Sequence, residues 1–479
     1  MGYVRTEVEQ PVIIGGHMWQ PLRVAPHLSF QHVPTNSAGI DYTHKAFDES
    51  YKPMAQEVIR QLPYSLDVFP TTYFDIGRLD KRVQQKYREH LRQFGVGTPA
   101  LHALLPDLTN TDKRILIEAG RQFFKDTTNI YPTWFWPAET ALDEESLIAI
   151  RSAGYGGIIC APNQVKRHDG EPVENQLVRV PLKGTSIVVL VYDAQLSQQL
   201  SFGELHNADD FAQNNIPPAL YRNPRLLTAW TDFERFGHHW PLGELFMRQL
   251  LKNSLQQPVS INGHFVIPHL ISINQLNAKL QDPKFVASLP SASIHNRSSW
   301  SDLHGDLARW HGKCNCSGSI YEQRWKEPFW QTFQWLNSAI TSILEHHLGP
   351  NYANEIAHNF FSRLYNQGPS DPSNTPRKSF ESAKTAAMVA QISDYGFFKF
   401  PETSGWINLL FGEVAIAHIS DAGLHKSAIR LRSEYRARLG RIPDPTRNNQ
   451  PLLLTLQEML KERKPQSYSR KNSAFQSHY

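Results

Sequence analysis

Cysteine is scarce in this chain: the 479 residues include only Cys160, Cys314 and Cys316. An odd set does not suit a disulfide framework, and a bridge between Cys314 and Cys316 would be strained because a single residue separates them. Zinc binding by this pair would need two further ligands at matching spacing, and no second Cys pair supplies them. The sequence therefore excludes a disulfide-stapled fold, and we interpret the cysteines as chance thiols in a reducing compartment.

Long hydrophobic runs are also absent. The longest apolar stretches, such as "SIVVLVY" at 186–192, are far too short to cross a membrane. The N-terminus carries Arg5, Glu7 and Glu9 where a secretory signal needs an apolar stretch. We therefore expect a soluble, cytoplasmic protein that has no membrane partner.

A strong charge of one sign is missing as well, since the net charge is only +4. From Arg441 to the C-terminus there are seven basic and three acidic residues, and this excess of four accounts for the whole net charge. The body of the protein is therefore neutral, which argues against a nucleic-acid partner. We expect residues 465–479 to form a basic, disordered tail. The sequence does not indicate an oligomeric state.

What the chain does contain is a change of pattern along its length. Up to about residue 300, short β-like runs alternate with amphipathic helical stretches, which is typical of a parallel α/β fold. From about residue 320, apolar residues recur at helical spacing, for example in "WQTFQWLNSAITSILEHHL". We predict a catalytic-type α/β domain over residues 1–318 and a helical bundle domain over residues 319–464.

Polar side chains follow three of the predicted strands. His17 comes directly after "PVIIGG", Glu139 follows an aromatic run, and Asp232 lies at the far end of "RLLTAW". Because parallel α/β folds place their sites at the carboxyl ends of strands, we expect these side chains to face one pocket.

Glu139 and Asp232 are candidates for a pair of catalytic carboxyls. A glycosidase needs two of them across one scissile bond, and aromatic neighbours such as Trp136 and Trp240 supply apolar walls that stack on sugars and raise a carboxyl pKa. The alternative is that each acid merely caps the N-terminus of the next helix, which is the ordinary role of a single acid after a strand. Glu234 either tunes Asp232 or pairs with Arg235 or another neighbouring base, and we interpret Glu244 as an acid of a first helical turn.

Three motifs carry a resemblance to a known family. In order along the chain, they resemble motifs of glycoside hydrolase family 57: "HMWQP" at 17–21, "WPAET" at 136–140 and "DFERFGHHWPLGE" at 232–244. More locally, three further stretches resemble an uncharacterised branch of that family with a helical region after the barrel: "SYKPMA" at 50–55, "LLPDLTNTDKR" at 104–114 and "SSWSDLHGDLARWHGKCNC" at 298–316.

The resemblance implies a (β/α)7 barrel followed by an all-α helical domain, and retaining chemistry on an α-glucan or oligosaccharide with neither a metal nor another cofactor. Glu139 would be the nucleophile and Asp232 the general acid/base. The residues that would contact the substrate, as polar groups or stacking walls, are His17, Trp19, Gln20, Trp136, His238, Trp240 and Trp300.

Two departures from the family pattern leave other functions open. The second histidine of the opening motif is Trp19 here, and the family's second motif has no clear counterpart, with "FDIGRLDKR" at 74–82 as the nearest candidate. One alternative is a non-catalytic glucan-binding barrel. Another is a metal-dependent carbohydrate deacetylase in which His238 and His239 would bind a metal together with His17 and Asp232.

Overall fold

The structure is a computed structural model. It describes residues 8–22, 24–25, 31–32, 41–59, 62–222, 225–261, 264–301, 304–349, 351–365, 375–397 and 403–461. The predicted basic tail, 465–479, lies outside these residues.

Within the described residues, seven parallel strands form the centre of the N-terminal part, and we number them β1 to β7 in chain order. They are β1 Val8–Met18, β2 Ser65–Val68, β3 Gly95–Val96, β4 Trp134–Phe135, β5 Gly157–Cys160, β6 Thr185–Val191 and β7 Leu227–Asp232. β1 pairs in parallel with both β7 and β2, and β2 pairs with β3. On the other side, β5 pairs in parallel with β4 and β6.

Two local contacts close these strands into a ring. A parallel bridge between Gly97 and Phe135 joins the end of β3 to β4. The backbone N–H of Asp193, just after β6, donates to the carbonyl of Thr228 in β7 over 2.8 Å. The strands therefore enclose a barrel-like core, as the predicted (β/α)7 fold requires.

Shorter strands extend the barrel at its edges. Gln176–Leu182 runs antiparallel to β6, and His264–Leu270 pairs in parallel with the first half of β1. The other short strands are Val24–Ala25, Gln31–His32, Val165–Arg167, Val259–Ile261, Ala292–Ile294, Pro443–Asp444 and Gln450–Pro451.

Helices cover the outside of the barrel, and many begin at a polar side chain that binds a free backbone N–H. Asp143, for example, accepts from the N–H of Ser146 at the start of the helix Glu144–Ser152. Residues 74–82 are also helical, and Asp80 within them is a helix cap, so this stretch supplies no strand-end carboxyl. The α-helices are Tyr42–Ala46, Lys52–Glu57, Pro70–Leu79, Lys81–Phe94, Asn110–Thr128, Glu144–Ser152, Ala194–Phe202, Ala208–Arg222, Gly243–Lys252, Asn277–Gln281 and Pro283–Ser288. A π-helical turn, Phe47–Tyr51, and 3-10 turns at Leu105–Asp107, Ala138–Thr140, Pro162–Gln164, Phe233–Arg235, Ser254–Gln256 and Ile273–Leu276 complete this part.

The second half of the chain is helical, as predicted. Its helices are Ile320–Gln323, Lys326–Leu348, Tyr352–Tyr365, Pro376–Val389, Asp394–Phe397, Thr403–Asp421, His425–Leu439 and Leu452–Lys461. They share one hydrophobic core with the barrel helices. A buried ion pair also joins the two parts, since the Lys384 ammonium lies 2.5 Å from Asp112 of the barrel. Because the core is continuous, the boundary at residues 318 and 319 stays a prediction. Among the described helices, none is both long and apolar enough to cross a membrane.

Candidate active site

The register of three neighbouring strands places one histidine and two aspartates side by side in a row. His17, near the end of β1, lies directly opposite Asp232 of β7 on one side and Asp67 of β2 on the other. Residues in register on neighbouring strands point to the same face of a sheet, so the imidazole lies between two acids. Its Nδ1 is 2.8 Å from Oδ1 of Asp67, and both side chains are buried.

His17 carries a positive charge at neutral pH. Burial by itself would lower its pKa, but the charge and hydrogen bond of Asp67 and the charges of Asp232 and Glu234 outweigh burial and raise the pKa to about 9. The site is therefore built around a fixed imidazolium whose field favours the ionised forms of the acids around it.

Glu139 lies just beyond β4 in a backbone conformation that is rare for a residue with a side chain. Its φ is 56° and that of Thr140 is 45°, so two consecutive non-glycine residues occupy the left-handed region. Such residues cost on the order of 1–3 kcal/mol each and persist only where their surroundings hold them. The turn sets the direction of the Glu139 side chain just beyond the end of β4, at a cost that the surrounding structure must offset.

A fully buried amide, Gln164, holds this turn. Its Nε2 donates to the carbonyl of Thr140 over 2.7 Å and its Oε1 accepts from the Thr140 hydroxyl over 2.7 Å. The Thr140 hydroxyl in turn accepts from the N–H of Trp300 over 3.0 Å, and the Ser299 hydroxyl donates to the Glu139 carbonyl over 2.8 Å. The strained turn is thus tied to two other segments of the chain.

The Glu139 carboxyl accepts a short hydrogen bond from the hydroxyl of Ser301. Burial raises the pKa of Glu139 to about 7, against the Ser301 hydrogen bond and the charge of His17, which both lower it, while the charge of Asp232 raises it further. Both Ser301 and His17 favour the carboxylate, so the group is poised to ionise near neutral pH.

Asp232 differs in its surroundings. Its side chain is reached by solvent, yet the protein packed around it raises the pKa of the carboxyl, and the charge of His17 opposes that rise. Within the described part of the chain, no hydrogen-bond donor contacts the Asp232 carboxyl. The ionised form of Asp232 therefore has less support than that of Glu139.

Glu234 is a third acid of the site. It is buried, accepts a short hydrogen bond from the Tyr51 hydroxyl, and accepts from the backbone N–H of Trp19 over 3.2 Å. Burial raises its pKa to about 7, and the charge of Asp232 contributes to that rise. Arg235 instead donates to two backbone carbonyls, and no ion pair joins it to Glu234 among the described residues. A tuning effect of Glu234 on Asp232 stays a prediction. The side chain of Gln20 is also close to Glu234, because it forms a hydrogen bond with the Tyr51 hydroxyl.

A stack of aromatic rings forms one wall of the site. Trp136 lies between the rings of His17, at 5.3 Å, and Trp230, at 5.4 Å, in nearly parallel planes. Because Trp136 is fully buried, protein covers both of its faces, and it offers none to a sugar in this structure. Trp300 meets Trp136 edge-on at 4.8 Å and is partly exposed, which suits a ligand contact better.

Trp19, which replaces the family's second histidine, belongs to a second stack. Its ring lies 4.5 Å from that of His102 at an angle of 10°, and its Nε1 donates to Oδ1 of Asp394 over 3.2 Å. His102 is also bonded to the helical domain, through its Nδ1 and the Ser393 hydroxyl 2.8 Å away. The residue that departs from the family motif therefore contacts the C-terminal domain at the edge of the site.

His238 and Trp240 lie in a different environment. Nδ1 of His238 is 2.7 Å from Oε2 of Glu49, and Trp240 packs edge-on against His206 at 5.1 Å. In the described ranges, no hydrogen bond, ion pair or ring contact joins either residue to the row around His17. Their contacts with a sugar stay predictions.

The ligand set of the metal-dependent alternative is not assembled. His17 is engaged by Asp67 and His238 by Glu49, while His239 is exposed. Among the described residues, these side chains and Asp232 do not form a group of ligand atoms close enough to hold one ion.

Several residues of the site were missed by sequence reasoning. Asp67 had a signal, because a carboxyl inside a short buried strand needs a partner. Ser301 was not missed in this sense, because the polarity of its stretch had suited a loop over the pocket. Gln164 follows β5 closely and was not singled out. His102 and Asp394 gave no local signal, since only the packing of the helical domain brings them to the barrel.

A sequence model described as glycosyl hydrolase family 57 matches residues 24–284, more than half of the chain. Among solved structures, the chain is similar to an exo-type maltose-forming amylase from Pyrococcus sp. ST04, with 13% identity over 95% of this chain and 92% of that chain and a TM-score of 0.72. It is also similar to a branching enzyme from Pyrococcus horikoshii, with 12% identity, 94% of each chain covered and a TM-score of 0.60. A 4-alpha-glucanotransferase from Thermococcus litoralis shares 12% identity, with 86% of this chain and 60% of that chain covered and a TM-score of 0.51. At these identities the likeness shows the fold alone, and no curated protein sequence matches the chain.

Proposed function

The chain belongs to glycosyl hydrolase family 57, and we propose that it is a retaining enzyme acting on α-glucans, with Glu139 as nucleophile and Asp232 as general acid/base. The observation that carries the proposal is that Glu139 is held in a strained turn beside an imidazolium, His17, which is itself in register with Asp232. An α-glucan substrate is supported by the names of the similar structures, which include an amylase, a branching enzyme and a glucanotransferase.

The hydrogen-bond surroundings of the two carboxyls support this division of roles. Glu139 accepts a hydrogen bond from Ser301 and lies in the field of His17, and both stabilise the negative charge of a nucleophile. Asp232 lacks such a donor among the described residues, and its surroundings raise its pKa, which suits an acid that holds its proton until the leaving group needs it.

In the first step, the Glu139 carboxylate attacks the anomeric carbon while Asp232 gives its proton to the departing glycosidic oxygen. In the second, the ionised Asp232 takes a proton from the acceptor, which attacks the same carbon and releases Glu139. Water as acceptor gives hydrolysis, and a sugar hydroxyl gives transfer. Since Glu139 must be ionised, kcat/KM falls as the pH drops below about 7.

Chemical rescue separates the two roles. We expect Glu139→Ala and Asp232→Ala to lose turnover of maltooligosaccharides, amylose and glycogen, on the order of a thousandfold or more. With α-maltosyl fluoride, whose leaving group needs little proton donation, azide should restore product formation in both variants. Loss of the nucleophile should give the glycosyl azide of inverted configuration, and loss of the acid/base the retained one.

Glu145→Gln is the control, because this exposed acid lies in the helix that follows the same strand and should leave turnover unchanged. Unchanged turnover in Glu139→Ala would remove Glu139 from the chemistry. Wild-type protein that binds glucan and never forms product would favour the non-catalytic glucan-binding barrel.

A further inference from the structure

A second cluster of reactive side chains lies beside the proposed site and takes no part in it. The loop that carries Trp300 and Ser301 continues through His304 to Cys314 and Cys316. The ligand atoms of His304, Cys314 and Cys316 all lie within 4.8 Å of one another. We propose that these three side chains bind one Zn²⁺ when the two cysteines are reduced.

The donor set is the one that zinc prefers. Structural and catalytic zinc sites use Cys thiolates at about 2.3 Å and His nitrogens at about 2.0–2.1 Å, so ligand atoms a few ångströms apart close around one ion with small shifts. Three protein ligands leave one tetrahedral position for water or another small ligand. His304 is the partner that sequence reasoning did not connect with the cysteine pair, and the proposal departs from the expectation that the protein holds no metal.

The backbone around the cysteines is built to hold a negatively charged sulfur. The N–H of Cys316 points at Sγ of Cys314 over 3.3 Å, which is how backbone amides stabilise thiolate ligands. The structure also places the two sulfurs in bonding contact with each other. A disulfide and a metal site use the same two sulfurs and exclude each other, and the metal site also draws on the His304 imidazole, whose ligand atom lies within 4.8 Å of both sulfurs.

Hydrogen bonds from Gln323 and Lys326 hold the turn that carries the two cysteines. The buried Gln323 amide donates to the carbonyls of Cys314, over 2.9 Å, and Gly318, over 2.6 Å. The ammonium of Lys326 donates to Ser317, Gln323 and the carbonyl of Arg309 over 2.8–3.0 Å. Such supporting bonds orient ligands before the metal arrives and reduce the entropy cost of binding.

The metal would tie together the ends of the loop that supports Glu139. Arg309 lies between His304 and Cys314 in the sequence. Its guanidinium donates to the carbonyl of Ser301 over 3.2 Å and to the carbonyl of Phe397, in the helical domain, over 2.9 Å. The hydroxyl of Ser301 is the donor to the Glu139 carboxyl. The bound ion is thus a positioning element for Ser301 and does not itself touch the reacting atoms.

Cobalt is the probe for this site, because Co²⁺ replaces Zn²⁺ and gives a thiolate charge-transfer absorption in the near ultraviolet together with tetrahedral bands in the visible. The full chain is reduced, stripped with a chelator and titrated with Co²⁺ and then Zn²⁺. We expect both sets of bands to appear, to saturate near one ion per chain and to disappear when Zn²⁺ displaces Co²⁺. Hydrogen exchange over residues 299–316 should slow when the metal is added.

Cys314→Ser and Cys316→Ser should each weaken the charge-transfer band, and His304→Ala should lower the affinity at least about tenfold. Cys160→Ala is the matched control, since it removes a buried thiol in β5 and should leave the spectrum intact. The proposal is overturned if the reduced wild-type chain shows no charge-transfer band, or if the Cys160 variant loses that band. It is also overturned if the bond between the Cys314 and Cys316 sulfurs persists under reducing conditions. Every readout here is independent of glycosidase activity, so failure of the metal site and failure of the proposed function are distinguishable.

Discussion

The ion pair between His17 and Asp67 allows a quantitative test of the electrostatics of the site. Asp67→Asn keeps the size and shape of the side chain but removes its charge. His17 has an ordinary pKa of 6.5, and the folded protein raises it to about 9. At about 1.4 kcal/mol for each pKa unit, this difference is worth roughly 3 kcal/mol in favour of the protonated imidazole.

The sign of the effect on stability follows from this rise. A group whose pKa is higher in the folded than in the unfolded chain contributes stability that is complete below the unfolded pKa and is lost as the pH rises through the folded value. The contribution of His17 is therefore present near pH 6.5 and is lost through about pH 9. The charge and hydrogen bond of Asp67 are the largest of the effects that raise the pKa of His17, so the variant loses most of this contribution.

The assay is chemical denaturation of the wild type and Asp67→Asn at a series of pH values. We expect the difference in free energy of unfolding to be largest near pH 6.5 and to shrink by up to roughly 3 kcal/mol above about pH 9. The control is Asp48→Asn, which breaks a histidine–aspartate pair on the surface, between His44 and Asp48, where both side chains are more than half exposed. Exposed pairs contribute little, so its difference from the wild type should be small at every pH. A difference for Asp67→Asn that is constant with pH, or that grows as the pH rises, would refute the reasoning.

Three further predictions concern the turn, the domain interface and the pH profile. Gln164→Ala removes the amide that holds the strained turn and leaves buried partners without a hydrogen bond, so denaturation should show a loss of about 2–4 kcal/mol, and turnover should be lost with it. Lys384→Ala leaves a buried carboxylate unpaired and should cost roughly 3–5 kcal/mol by the same measurement, whereas Arg377→Ala, which breaks an exposed pair on the same helix, should not change stability measurably. Asp394→Asn removes a negative charge that raises the pKa of Glu139, so the acidic limb of kcat/KM should move to lower pH, and a move to higher pH would contradict this account.

Much of the fold followed from local pattern. Alternating β-like and helical stretches predicted a parallel α/β fold, and helical spacing predicted the C-terminal helices, because each pattern reflects which face of an element is buried. The (β/α)7 barrel was what the family resemblance implied. The barrel's closure through Gly97 and Phe135 was not predictable in the same way, since β3 and β4 are two residues long and give little periodic signal. The candidate place for the second family motif, 74–82, proved helical, and its apolar and acidic residues serve packing and capping.

The candidate site also combines features that the local sequence predicted with features that only the packing of distant segments creates. Glu139 and Asp232 were predicted from the sequence because each follows a strand with aromatic neighbours, and because the motifs that resemble the family are short and local. The surroundings that set their protonation were not predicted, because the groups involved come from far along the chain. The Ser301 hydroxyl donates to Glu139 across 162 residues. Asp394, which accepts from the Trp19 indole across 375 residues, raises the pKa of Glu139 through its charge. Sequence reasoning also expected Trp136 to face a sugar, whereas packing buries its ring between His17 and Trp230.

The sequence by itself determined which residue types stand at the ends of the strands, since strand ends are specified by neighbours a few positions away, and its short motifs carried the resemblance that implied the class of chemistry. Only the tertiary structure decided the charge of each group. The register of β1 places His17 between Asp67 and Asp232, and the left-handed turn brings Glu139 to Ser301. A pKa depends on burial and on charges within a few ångströms, and those distances exist only once the strands and the helical domain have packed.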